Sequence, residues 1–167
     1  MRLPVRSRRR LVMAAVSSFL VLALHGAAAA GGATAGKKVV VRYRHAQFHR
    51  LEKVVHTLAR GLDAARPDFS RLSAQSSDIA ALSRELEKWF PQGSGPQPGL
   101  KTRAKPQIWS EPGKFQSAAA RLVRRARRLN RAVAGHDAPE ALLQLRSLGH
   151  ACQDCHDQFR RSSWWFW

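Results

Sequence analysis

The sequence predicts an all-α protein, an antiparallel four-helix bundle, and three observations predict it. Four stretches repeat apolar residues at spacings of three, four and seven, no run reads convincingly as a strand, and most connections between the four stretches are short. The fourth apolar seam runs directly into Cys152-Gln153-Asp154-Cys155-His156, so the core-facing stripe and the most reactive side chains coincide.

The chain begins with a leader. Arg2, Arg6 and Arg8 to Arg10 form a cationic start, Leu11 to Leu24 an apolar stretch and Ala28-Ala29-Ala30 a small-residue cleavage site, with Ala35 a second place for the cut. Residues 1–30 therefore read as a cleavable export signal, and the apolar stretch is short for a membrane span, so no transmembrane anchor is expected after cleavage. Removing them lowers the formal charge from +18 to +13. Such a surplus favours acidic partners or an anionic surface. Export to the periplasm argues against nucleic acid.

Residues 31–38 read as a flexible segment, 39–161 as the bundle and 162–167 as an aromatic tail. Val41, Phe48, Leu51, Val55, Leu58 and Leu62 make the first seam, bracketed at its end by Gly61 and Pro67. The second helix is expected from Phe69 to Trp89, capped by Ser70 or Asp68, with Leu72, Ile79, Leu82, Leu86 and Trp89 on one stripe. Pro91 to Pro106 is a loop by composition, long enough to close over one edge of a cofactor.

Ser110, Glu111 and Pro112 read as the start of the third helix, whose seam is Phe115, Ala119, Leu122, Ala126, Leu129 and Val133 and which Gly135 ends. Six arginines between Arg121 and Arg131 crowd this helix; as sequence they read as a solvated face rather than a docking patch. Asp137-Ala138-Pro139-Glu140 has capping-box spacing and opens the fourth helix. Trp164-Trp165-Phe166-Trp167 suits either packing within the chain or an exposed tail.

Two thiols three residues apart with a histidine next to the second form the attachment pattern of c-type haem: each sulfur adds to a vinyl group and His156 ligates iron. On a helix Cys152, Cys155 and His156 share one face. Zinc would need further good ligands, and there is no other cysteine. A thiol oxidoreductase usually places its CxxC after a strand, whereas here a helical pattern precedes it. Both methionines, Met1 and Met13, lie in the leader, so His/Met iron is excluded after cleavage. Bis-histidine iron, drawing on His45, His49, His56, His136 or His150, and iron with an open position both remain.

Four seamed helices with CxxCH near the C-terminus, together with Val41-Arg42-Tyr43-Arg44, Thr102 to Ser110 and Cys152 to Arg160, resemble the class II c-type cytochromes, specifically the cytochrome c′ family, over Val39 to Arg161. The resemblance implies one covalent haem c through Cys152 and Cys155, with His156 the axial ligand to iron. It places Phe48 over the distal haem face, Arg44 near the propionates, His45 at the next haem contact, Thr102 and Arg103 in the bordering loop, Arg160 on the proximal side and Trp89 near the ring. Phenylalanine at the distal position implies five-coordinate iron that binds NO and CO, with electron transfer as the companion role. A homodimer through the first two helices, acidic redox partners and no enzymatic activity complete the expectation. The alternatives are a six-coordinate bis-histidine electron carrier and, more distantly, an exported CxxC thiol oxidoreductase.

Overall fold

The computed structural model describes the backbone of residues 9–162 and the side chains of residues 35–162; the start of the leader and the aromatic tail at Trp164–Trp167 lie outside the described residues. The helices are α1 (Arg9–Leu62), α2 (Phe69–Glu85), continued by a 3-10 turn at Leu86–Trp89, the one-turn α3 (Gln107–Ser110), α4 (Pro112–Ala134) and α5 (Ala138–Phe159). The chain divides into two compact units, Met1–Lys37 and Lys38–Trp167, and the second is the bundle. Among the described residues there is no strand, only an isolated bridge between Ala104 and Arg160. Residues 31–38 are helical rather than irregular, continuing α1 with no proline to interrupt it.

α4 packs along α5 and against α2. Leu58, Ile79, Leu129, Val133 and Leu148 are fully buried in one contiguous core, each such side chain stabilising the fold by about 2 kcal/mol. Gly61 admits Leu72, whose Cδ2 would stand only 2.7 Å from a Cβ there, so α1 and α2 close tightly at their junction. Polar links join α2 to α4 where Asn130 Oδ1 accepts from Ser76 Oγ at 2.7 Å and from Ser77 Oγ at 3.2 Å.

Helix ends follow the side chains available. Asp68 Oδ1 accepts from Arg71 N and caps α2, so the aspartate and not Ser70 takes that role. Ser110 does not cap α4: it belongs to α3, and its hydroxyl returns to the Pro106 carbonyl. Glu111 occupies the cap position with no side-chain hydrogen bond to the helix and pairs with Lys114 instead. Between α4 and α5, Asp137 N donates to Ala132 O and His136 N to Val133 O, the paired bonds of a Schellman turn. The left-handed residue of that turn is His136, at φ 56°, with Gly135 one place earlier at φ −78°. The His136 ring stacks on Phe69 at 4.8 Å. Asp137 Oδ1 then accepts from Glu140 N and starts α5 as its sequence predicts.

The other end of α5 is held by the loop. Lys105 N donates to Phe159 O at 2.9 Å, Arg161 N to Arg103 O at 2.8 Å, and Lys105 Nζ to Asp157 O at 2.8 Å. These bonds lay residues 103–105 against the haem-motif end of the helix.

Candidate haem site

Cys152, Cys155 and His156 lie in the last two turns of α5, all three half-buried. Across from them on α1 stand Arg44, His45 and Phe48. The Phe48 and His156 rings are 6.5 Å apart between centroids, and Phe48 meets Trp89 edge-on at 5.2 Å and Phe90 at 6.1 Å. Phe48, Trp89 and His156, each more than forty residues from the next in sequence, thus converge. The aromatic set continues from Phe90 to Phe115 at 5.0 Å and on to Phe159 at 5.4 Å, crossing from the 3-10 turn through α4 to α5.

Arg44 is 2 % exposed. Its Nη1 donates to Ser94 Oγ at 3.1 Å and to the Trp89 carbonyl at 3.4 Å, and its Nη2 to Ser94 O at 3.1 Å and Thr102 Oγ1 at 2.9 Å. The guanidinium carbon lies 4.6 Å from the Phe90 ring centroid. Among the described residues no carboxylate pairs with it, and burial lowers its pKa to about 10. This arginine therefore fastens α1 to both ends of the 91–106 loop. Phe90 and Ser94 are the members of the site that sequence reasoning passed over. Phe90 had only its place beside Trp89 to mark it, and Ser94 had no signal.

The remaining candidates sit at the rim. His45 is exposed, with its pKa lowered by partial burial and then by Arg44, His49 and Arg160. Arg160 leaves the end of α5 in extended conformation, and Arg103 Nε donates to Arg161 O. Both arginines act on His156, whose pKa is lowered first by burial and then by Arg160, against a smaller opposing effect of Asp157. Burial thus favours the neutral imidazole, the form that offers a lone pair to a metal.

Burial raises both thiols, Cys155 to about 11. A redox CxxC works through a thiolate stabilised below its ordinary pKa, so the dithiol reading loses its chemical basis. Among the described residues no group of three or more His, Cys, Asp or Glu side chains can hold a metal ion, so a zinc site lacks its partners too. The donor set fits haem c instead: two neutral thiols one turn apart, a neutral imidazole beside the second, and aromatic side chains opposite.

A family model described as Cytochrome C' matches residues 39–160. The chain belongs to the cytochrome c′ family. Haem c bound covalently is the cofactor of that family, and Cys152 and Cys155 are its two attachment points in sequence. Cytochrome c′ of Pararhodospirillum photometricum is 27 % identical over 127 residues, spanning 75 % of this chain and 99 % of that protein. The crystal structure of cytochrome c′ from Rubrivivax gelatinosus superposes with a TM-score of 0.67 at 24 % identity, covering 75 % of this chain and 97 % of the other. A nitric oxide complex of a variant of cytochrome c prime from Alcaligenes xylosoxidans superposes at 0.69, with 20 % identity and 76 % and 97 % coverage. At these identities the two structures speak for the fold, the four-helix bundle.

Proposed function

We propose that this cytochrome c′-family chain is a periplasmic haem protein with His156 as the axial ligand to iron, an open distal position against Phe48, and NO and CO as its ligands. The observation that carries the reading is the convergence of the His156 and Phe48 rings, 6.5 Å apart between centroids with their planes at 63°. When bound, haem c supplies an iron that exchanges one electron and accepts a diatomic ligand at an open position.

The chain's own residues do the rest. Cys152 and Cys155 would anchor the group to α5, and the His156 ring would offer it a nitrogen. Phe48, Trp89 and Phe90 make the opposite wall apolar, and Phe48 has no lone pair with which to close the sixth position. Arg44 already directs four hydrogen bonds to Trp89, Ser94 and Thr102, so those N–H groups are committed elsewhere. An apolar wall tolerates NO and CO, whereas a bound O₂ needs a donor. Arg103 and Arg160 add positive charge on the His156 side, suited to the propionates.

This arrangement supports electron transfer and gas binding as the roles of the chain. Homologue NO complexes support the gas-binding half. Exposed Val39 and Tyr43 on α1 support pairing with a second copy through α1 and α2. No helix among the described residues is long and apolar enough to cross a membrane.

The test is the visible spectrum of the mature protein, ferric and reduced, before and after CO. A broad high-spin Soret band that sharpens with CO is expected. Sharp low-spin bands unmoved by CO would mean a histidine sixth ligand, with His45 the first to replace, and would leave electron transfer alone.

A further inference from the structure

α4 carries six arginines between 121 and 131 and no aspartate or glutamate anywhere along its length. At about 100° per residue, Arg121, Arg124, Arg125, Arg128 and Arg131 fall on one face, apart from the buried stripe of Phe115, Ala119, Leu122, Ala126, Leu129 and Val133. The ion pairs among the described residues, His49–Glu52, Arg50–Asp78, Lys88–Glu85 and Lys114–Glu111, all lie elsewhere. Among the described residues none of the six arginines has a carboxylate or a side-chain hydrogen-bond partner.

A merely solvated face does not need this pattern. Like charges three and four apart weaken a helix, and mixed signs, as on α1 and α2, would keep the same surface wet without that penalty. Arginine also presents a planar fork that matches a carboxylate in two places, which lysine does not. The face is close to the haem attachment, because α4 packs along α5, the helix that carries Cys152 and Cys155.

We propose that the arginine face of α4 is the docking surface for an acidic electron-transfer protein, whose carboxylates meet Arg121, Arg124 and Arg128 beside the haem attachment. This rests on the haem reading above. A protein is favoured over an anionic membrane because α4 exposes no large apolar side chain to insert. The exposed large hydrophobics among the described residues are Val39, Tyr43 and Leu143, on α1 and α5.

The test is stopped-flow reduction of the mature ferric holoprotein by a reduced flavodoxin, an acidic one-electron donor protein, across a range of salt concentrations. Replacing Arg121, Arg124 and Arg128 together by glutamine is expected to lower the second-order rate constant about tenfold at low salt and to flatten its salt dependence. The control R60Q/R71Q/R84Q removes the same charge from α1 and α2 and is expected to change the rate far less. Reduction by a neutral hydroquinone is expected to be the same in all three proteins, which checks that the haem and the fold are intact.

Equal losses in the two triple variants would overturn the proposal in favour of a general field of net charge. A wild-type rate indifferent to salt would overturn it as well. So would binding to phosphatidylglycerol vesicles that needs the α4 arginines while the flavodoxin rate does not. Absence of covalent haem in the spectrum taken before mixing would strike the haem reading itself, a failure visible separately.

Discussion

At its N-terminal end α5 is tied to the chain within reach of a few residues: Asp137 N bonds to Ala132 O, His136 N to Val133 O, and Glu140 N to Asp137 Oδ1. At its C-terminal end the ties come from more than fifty residues away, with Lys105 and Arg103 holding Phe159, Asp157 and Arg161. Arg44 extends the same pattern, reaching Ser94 and Thr102 across 50 and 58 residues. One end of the helix forms from its own sequence. The other, which holds the thiols and His156, is held by bonds from the loop that Arg44 in turn fastens to α1.

The comparison breaks most visibly at Arg44. Arg44→Ala leaves Ser94, Thr102 and the Trp89 carbonyl without their donor inside the protein, and a loss of about 3 kcal/mol in urea unfolding is expected. Thr102→Val removes one acceptor from Arg44 and one from Ala104 N while keeping the volume, and about 1.5 kcal/mol is expected by the same measurement. A smaller cost for Arg44→Ala than for Thr102→Val would show that the long-range end does not depend on the arginine.

At the local end the effects should be smaller. Asp137→Ala deletes a cap and should cost about 1 kcal/mol, read as a lower thermal midpoint with an unchanged haem spectrum. His136 sharpens the point further, since two substitutions there separate strain from contact. His136→Ala keeps the left-handed backbone and loses the Phe69 stack, costing about 1 kcal/mol. His136→Gly relieves the backbone by about 1 kcal/mol as it loses the same stack, so its net change should be close to zero. Equal destabilisation by both would mean that the left-handed geometry carries no strain.

This division also explains what could be read before any coordinates. The bundle, the seams, the start of α5 at Asp137 and the CxxCH motif depend on neighbours within a helical turn or two, and the sequence displays such neighbours directly. Trp89 and Phe48 were legible as stripe residues and through the family resemblance, though not as a touching pair. Ser110 misled because its hydroxyl found the Pro106 carbonyl in a short helix that periodicity does not reveal. Arg44 was expected near propionates. Its fastening to Ser94 and Thr102 was invisible, because no spacing rule connects residues fifty positions apart. The α4 arginines looked like ordinary solvated charge until the structure left them without carboxylate partners among the described residues and laid α4 along the helix that carries Cys155.

Arg44 also sets an order of events. Helices close through near neighbours and form quickly, whereas contacts between distant residues wait for the chain to be brought together. The fastening of α1 to Ser94 and Thr102 must therefore come late, after α2 has folded and turned the chain back.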